Sequence, residues 1–234
     1  MGVVLQSNRN SNPLKYQKGT KRGSSTNIVV GACPVNSDVL DVGCASGYLG
    51  DELKRKGCQI WGVDNDRIAL ASIPNGIYEE VRELDLNSVV EDVPLFPCLF
   101  DVIILADVLE HLVNPSATLK VLIKSIKPNG QFIISLPNVA HISIRASLLR
   151  GHFDYVDRGI LDRTHLHLYT YDSAALLLQK CGLNVERTLA GSDFFGTVLN
   201  RWSIVSAVFR ALLAYNIIYV CKVDSKTGRG GLVA

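Results

Sequence analysis

Paired cysteines are missing from this chain. Its six, Cys33, Cys44, Cys58, Cys98, Cys181 and Cys221, are scattered and form no Cys-x-x-Cys. That spacing speaks against a disulfide framework and a zinc site, and for small core residues in a reduced, cytoplasmic compartment. An excess of either charge is also lacking, with 24 Lys and Arg against 22 Asp and Glu. The formal net charge is +2 and no basic run is interleaved with aromatics, so the footprint of a nucleic-acid binder is lacking. The first residues contain no apolar run long enough for a signal peptide, and none is expected. No internal repeat occurs. The longest apolar stretch, Val198–Leu213, is broken by Asn200, Arg201 and Arg210, which counts against a membrane-spanning helix.

What is present suits one α/β domain. The chain has 234 residues, of which 47% are hydrophobic, enough to cover both faces of a parallel sheet. Apolar runs of strand length alternate with helical patterns. Strands are expected at Val39–Val42, Gln59–Val63, Ile77–Arg82, Val102–Leu105, Gln131–Ser135, Leu183–Ala190 and Tyr215–Lys222. Helices are expected at Tyr48–Lys56, Asp66–Ser72, Ser116–Ile126 (Pro115 suits its start), His141–Leu149 and Asp172–Cys181, with Gly182 as a stop. The apolar residues of Val198–Leu213 recur at helical spacing, as a core-facing helix or as an interfacial one touching a lipid. The alternation predicts a seven-stranded, mostly parallel sheet with helices on both faces. Residues 1–27, polar and rich in Ser, Asn, Lys and Gly, read as a mobile segment in which Tyr16 is either a lid or part of a tail. Residues 28–223 read as the domain and 224–234 as a second tail.

The densest signal is Val39-Leu40-Asp41-Val42-Gly43-Cys44-Ala45-Ser46-Gly47-Tyr48-Leu49-Gly50. Here a strand runs into a turn of small residues and then into a helix, and Asp64 follows at the end of the next strand. Small residues let a cofactor approach the backbone, and a carboxylate on the neighbouring strand suits ribose hydroxyls. A dinucleotide fingerprint would need Gly-x-Gly-x-x-Gly; Ala45 and Tyr48 occupy its second and third glycine positions, so nicotinamide chemistry is disfavoured.

The run resembles motif I of the class I S-adenosylmethionine (SAM) methyltransferases, with Ala45 at the usual middle glycine. SAM carries no phosphate, and an alanine leaves room if its φ stays negative. Glu83-Leu84-Asp85-Leu86, Phe100–His111 and Lys127–Asn138 follow in the order that family implies. The resemblance implies a Rossmann-like fold and SAM as cofactor. It places the cofactor site at Asp41, Gly43, Cys44, Ala45, Gly47, Asp64, Asn65, Asp85, Leu86 and Ala106. A doubly wound domain without cofactor binding is the alternative.

Two segments compete for the chemistry. Asp107-Val108-Leu109-Glu110-His111 is similar to the acidic-x-x-Glu-His segment of ubiquinone-biosynthesis O-methyltransferases, some of which are metal-assisted. If it is helical, Asp107, Glu110 and His111 share a face and could hold magnesium. The favoured reading is that Asp107 and Glu110 form a capping box, which needs no metal. His111 could instead line the methionine end of the cofactor site. The second segment, Gly151 to Thr170, is charged, aromatic and aperiodic, as functional loops are. It offers His165 as a base with Asp162 or Asp157 to orient it, His167 lying on the same extended face. Alternatively its charges pair with each other and its histidines cap carbonyls. Ser135–Gly151 with Asp162–His165 resembles methyltransferase-domain proteins of bacterial surface-polysaccharide genes, which implies a sugar or glycan-precursor hydroxyl, on a small molecule, as acceptor. It is also similar to a methyltransferase-like protein of methionine biosynthesis, which implies a non-catalytic, partner-regulating role.

Overall fold

Seven strands form one sheet in the computed structural model, which describes residues 24–90, 94–191 and 212–224. The strands are β1 (Asp38–Val42), β2 (Gln59–Asp64), β3 (Glu80–Glu83), β4 (Phe100–Ala106), β5 (Ile126–Pro137), β6 (Leu183–Gly191) and β7 (Asn216–Val223), ordered β3-β2-β1-β4-β5-β7-β6. β1 to β5 run parallel, and β7 pairs antiparallel with both β5 and β6. The mostly parallel, seven-stranded sheet expected from the sequence is therefore present. Its order reverses beside β1, between β2 and β4, which is where open α/β sheets bind ligands.

Strand side chains alternate between two apolar layers because successive Cβ atoms point to opposite faces. Leu40, Val42, Ile103, Leu105, Phe132, Ile134, Ile217 and Tyr219 build one layer with Leu119 and Leu122 of α4 (Pro115–Ile123) and Leu178 of α6 (Tyr171–Lys180). Val39, Ile60, Val102, Ile104, Ile133 and Ile218 build the other with Val29 of α1 (Ser25–Ala32) and Leu53 of α2 (Gly50–Arg55). Each of these side chains, fully buried, contributes about 1.5–3 kcal/mol.

Several boundaries differ from the sequence reading. α1 begins inside the stretch read as a tail: Ser24 caps it, accepting from the Asn27 N–H at 3.4 Å, and its apolar face joins the core. The fourth helix stops at Ile123, and Ile126 already belongs to β5. Lys127–Gly130, ahead of the strand expected at Gln131–Ser135, is a bulged part of β5, with Asn129 at φ 68° and the β4 register shifting between Phe100 and Val102. Arg150 to Thr170 is irregular, as expected, apart from single bridges at Val156–Asp162 and Asn138–Tyr169. Among the described residues no helix is long and apolar enough to cross a membrane. Tyr16, residues 198–211 of the apolar stretch and residues 225–234 lie outside the described residues.

Candidate active site

The carboxyl end of β1 leads into a turn built from left-handed backbone. Gly43, Ala45 and Gly47 have φ of 75°, 45° and 76°. A Cβ on Gly43 would lie 2.6 Å from Val108 Cγ2, so only glycine fits there. Ala45 was expected at negative φ, and the structure corrects this: it sits in the region that costs an L-residue roughly 1–2 kcal/mol. Its N–H donates to Asp64 Oδ2 at 2.8 Å, which holds the conformation in place. Asp64 Oδ1 accepts from the Asp66 N–H at 2.8 Å. One carboxylate thus ties the β1 turn to the loop after β2.

Asp41, 1% exposed, lies beneath this turn. Its Oδ2 accepts from the Tyr78 hydroxyl at 2.7 Å, while Oδ1 is buried without a hydrogen-bond partner among the described residues. Burial pushes its carboxyl up to about 7; the Tyr78 hydrogen bond opposes this and the Asp64 charge adds to it. Asp85 caps the short turn Leu86–Ser88, accepting from the Asn87 N–H at 2.9 Å. Leu86 belongs to the core, Cys44 is buried, Asn65 is exposed and Ala106 lies half-buried at the end of β4.

Beyond β4 the chain makes a second strained turn. Asp107 has φ 56°, and its Oδ1 accepts from Ser135 Oγ at 2.6 Å and Asn216 Nδ2 at 2.8 Å. It therefore ties together the carboxyl ends of β4 and β5 and the start of β7. The following turn, Leu109–His111, is a single 3-10 turn capped by no side chain. This overturns the capping box, and it also separates Asp107 from the metal set expected with Glu110 and His111. The donor atoms that do gather are those of Glu110, His111 and His165, all within 4.8 Å of one another.

Backbone hydrogen bonding brings His165 there. The Glu110 carbonyl accepts from the Leu166 and His167 N–H groups at 2.8 and 3.1 Å, laying the irregular loop along the 3-10 turn. The His111 and His165 rings meet edge to face at 4.8 Å. Each turns Nδ1 toward a carbonyl, Thr164 O at 3.1 Å for His111 and Ile160 O at 2.9 Å for His165. A carbonyl only accepts, so in the neutral rings the proton sits on Nδ1 and Nε2 is the basic atom. The expected orienting carboxylates serve other ends: buried Asp162 holds the Thr164 N–H and hydroxyl, and Asp157 pairs with Arg163 at 3.2 Å. The carbonyl of Ile160 orients His165 instead. His167 stands beside Tyr169 rather than joining the pair, and its buried Nε2 has no hydrogen-bond partner among the described residues. Neither has the carboxylate of Glu110, which is fully buried; burial first, and then the charge of Asp107, holds it well above the usual carboxylate range.

A methyltransferase-domain family model matches residues 15–188, well over half of the chain. The chain belongs to this family. Over 105 residues it is 30% identical to a ubiquinone biosynthesis O-methyltransferase of Pseudomonas fluorescens, covering 43% of this chain and 44% of the relative. The match thus spans less than half the length of that curated protein. The fold is similar to an S-adenosylmethionine-dependent methyltransferase of Clostridium acetobutylicum, with TM-score 0.59, 15% identity and 86% and 91% of the two chains covered. It is also similar to magnesium protoporphyrin IX methyltransferase of Synechocystis with bound S-adenosylhomocysteine, with TM-score 0.55, 18% identity and 85% and 78% covered.

The methyltransferase domain gathers Asp41, Gly43, Cys44, Ala45, Gly47 and Asp64 in one place, where β1 and β2 end. Asp85, Leu86 and Ala106 follow from β3 and β4. Sequence reasoning missed Tyr78, which grips Asp41 from the loop before β3, and the Ser135–Asp107–Asn216 tie. No local pattern marks either, because each joins residues far apart in the chain. It missed α1 too, although Ser24 ahead of Ile28-Val29-Val30 is a legible helix start.

Proposed function

We propose that this protein transfers the methyl group of SAM to a hydroxyl of a small molecule or glycan precursor. Asp64 would take the ribose hydroxyls, Asp41 the cationic methionine end, and the loop after β3 with Asp85 the adenine. Asn65, Leu86 and Ala106 would complete the walls. The observation that carries the acceptor reading is the His111–His165 pair, whose backbone anchors leave Nε2 basic beside the carboxyl end of β4. In the reaction the acceptor oxygen attacks the methyl carbon in line with the sulfur. The carbon–sulfur bond breaks to leave neutral S-adenosylhomocysteine, and the hydroxyl proton passes to His165 Nε2. The protein's part is to align the two reactants, exclude water and receive that proton.

Glu110 favours a second reading. A fully buried carboxylate with neither oxygen hydrogen-bonded among the described residues, beside two imidazoles, fits a divalent cation. Two nitrogen donors suit zinc better than the magnesium considered from the sequence, with manganese, an oxygen-ligand metal like magnesium, as the comparison. Glu110, His111 and His165 would hold it, and when bound it would polarise the acceptor hydroxyl.

All six cysteines are free thiols, which supports a reducing, cytoplasmic setting. Helix α1 supports starting the domain at Ser25 rather than at Ile28.

Formation of S-adenosylhomocysteine from SAM and a panel of hydroxylated sugars and phenols, with and without a chelator, tests these readings. Acceptor-dependent turnover that survives the chelator supports His165 as the base. Turnover lost to the chelator and restored by zinc or manganese supports the cation. SAM binding without turnover on any acceptor would assign the chain to the partner-regulating class.

A further inference from the structure

The loop Pro74–Glu79 belongs to no motif, yet one of its side chains reaches the centre of the cofactor turn. Tyr78 donates its hydroxyl to Asp41 Oδ2 at 2.7 Å. Its ring covers three glycines. A Cβ built on Gly47, Gly50 or Gly62 would approach that ring to 3.2, 2.6 or 3.0 Å. Ile73 and Ile77 close the same wall beside Gly47 and Gly50. The phenol is thus a brace between β1, its glycine turn and β2.

We propose that Tyr78 is a positioning residue for the cofactor, fixing the Asp41 carboxylate through its hydroxyl and the glycine turn through its ring. This rests on SAM being the cofactor and deepens that reading. With Oδ2 held by Tyr78, the buried and unpartnered Oδ1 is the atom left for a cationic donor such as an amino-acid ammonium. The arrangement makes binding sensitive to pH. The groups facing Asp41 are Asp64 from the end of β2, Cys44 from the turn and Tyr78 itself, with Tyr48 next to Tyr78. Burial and neighbouring negative charge hold Cys44 and Tyr78 protonated throughout the neutral range, and Asp64 repels the charge on Asp41. The Tyr78 hydroxyl alone favours it. As pH falls through about 7, Asp41 takes up a proton and loses its attraction for a cation.

Calorimetric titration of the full chain with SAM and with S-adenosylhomocysteine between pH 6 and 9 tests this, because both ligands carry the ammonium. Wild-type affinity should fall below pH 7. Tyr78→Phe keeps the ring and loses the hydroxyl. Its affinity at pH 7 should drop about 10-fold or more, the fall should begin at higher pH, and affinity at pH 9 should approach that of the wild type. Asp41→Asn should bind weakly at every pH, with a flat profile. A purely packing role for Tyr78 would leave the profile of Tyr78→Phe parallel to that of the wild type, and that result overturns the proposal while the cofactor assignment stands. A wild type that binds neither ligand at any pH overturns both.

Discussion

The turn after β1 and the loop before α6 sit at the same end of the sheet but are built in opposite ways. In the turn, strain and charge are answered locally. Ala45 is held at positive φ by Asp64, Asp64 is held by two N–H groups, and Asp41 is held on one side by Tyr78. In the loop and the 3-10 turn it lies against, polar atoms are left unanswered: both Glu110 oxygens and His167 Nε2 are buried without hydrogen bonds among the described residues. Phe153, Tyr155 and Val156 are substantially exposed. A cofactor of fixed shape rewards a pre-formed seat, whereas an acceptor must enter and leave; on the proposed function, its groups would supply what the loop lacks. The first region is closed except at Asp41 Oδ1, and the second leaves three polar atoms bare among the described residues.

The contrast can be broken from either side. The largest effect is expected in the loop. His165→Ala should lower the turnover number by about 100- to 10,000-fold while calorimetric SAM affinity stays as in the wild type. A parallel loss of SAM affinity would mean that the two regions are not separate.

Next comes Asp41→Asn, read by thermal melting without cofactor. In the folded chain Asp41 holds its proton up to about 7, against 3.8 in the unfolded one. The native state therefore binds the extra proton. That contribution is fully present below the unfolded value and is lost as pH rises through 7, where the buried charge costs up to about 4 kcal/mol. The variant should melt higher than the wild type at pH 8 and match it near pH 4, even though it binds cofactor less well. Equal melting at pH 8 would show that the carboxylate is already compensated.

Asp64→Ala should weaken SAM binding by roughly 10- to 100-fold and leave the sheet folded, as a circular dichroism spectrum would show. Unchanged affinity would remove Asp64 from the site. The smallest effect is expected for Ala45→Gly, which should stabilise the chain by at most about 1 kcal/mol in urea unfolding, since glycine relieves the positive φ but adds unfolded-state entropy. A loss of stability would mean that the alanine methyl packs better than the backbone strain costs.

Local chemistry made much of this protein legible in the sequence. Continuous apolar runs of strand length, such as Val102–Leu105 and Gln131–Ser135, marked the strands of a sheet buried on both faces. Asp41, Gly43, Gly47 and Asp64 lie close to strand ends, so their convergence follows from the order of elements alone. Asp107 shows where that reasoning stops. Three residues before Glu110 it has the spacing of a helix cap, yet its partners Ser135 and Asn216 come from β5 and β7, 28 and 109 positions away. The same holds for Tyr78 on Asp41, 37 positions away, and for His165 brought against His111 by the carbonyl of Glu110.

The sequence by itself therefore determined the sheet, its mostly parallel order and the turn on which a cofactor would rest, because these depend on side-chain period and on glycine. Only the tertiary structure decided which histidine faces which, which carboxylate is braced and which is left bare. Those outcomes depend on hydrogen bonds closed across the carboxyl edge of the sheet, and no spacing along the chain encodes them.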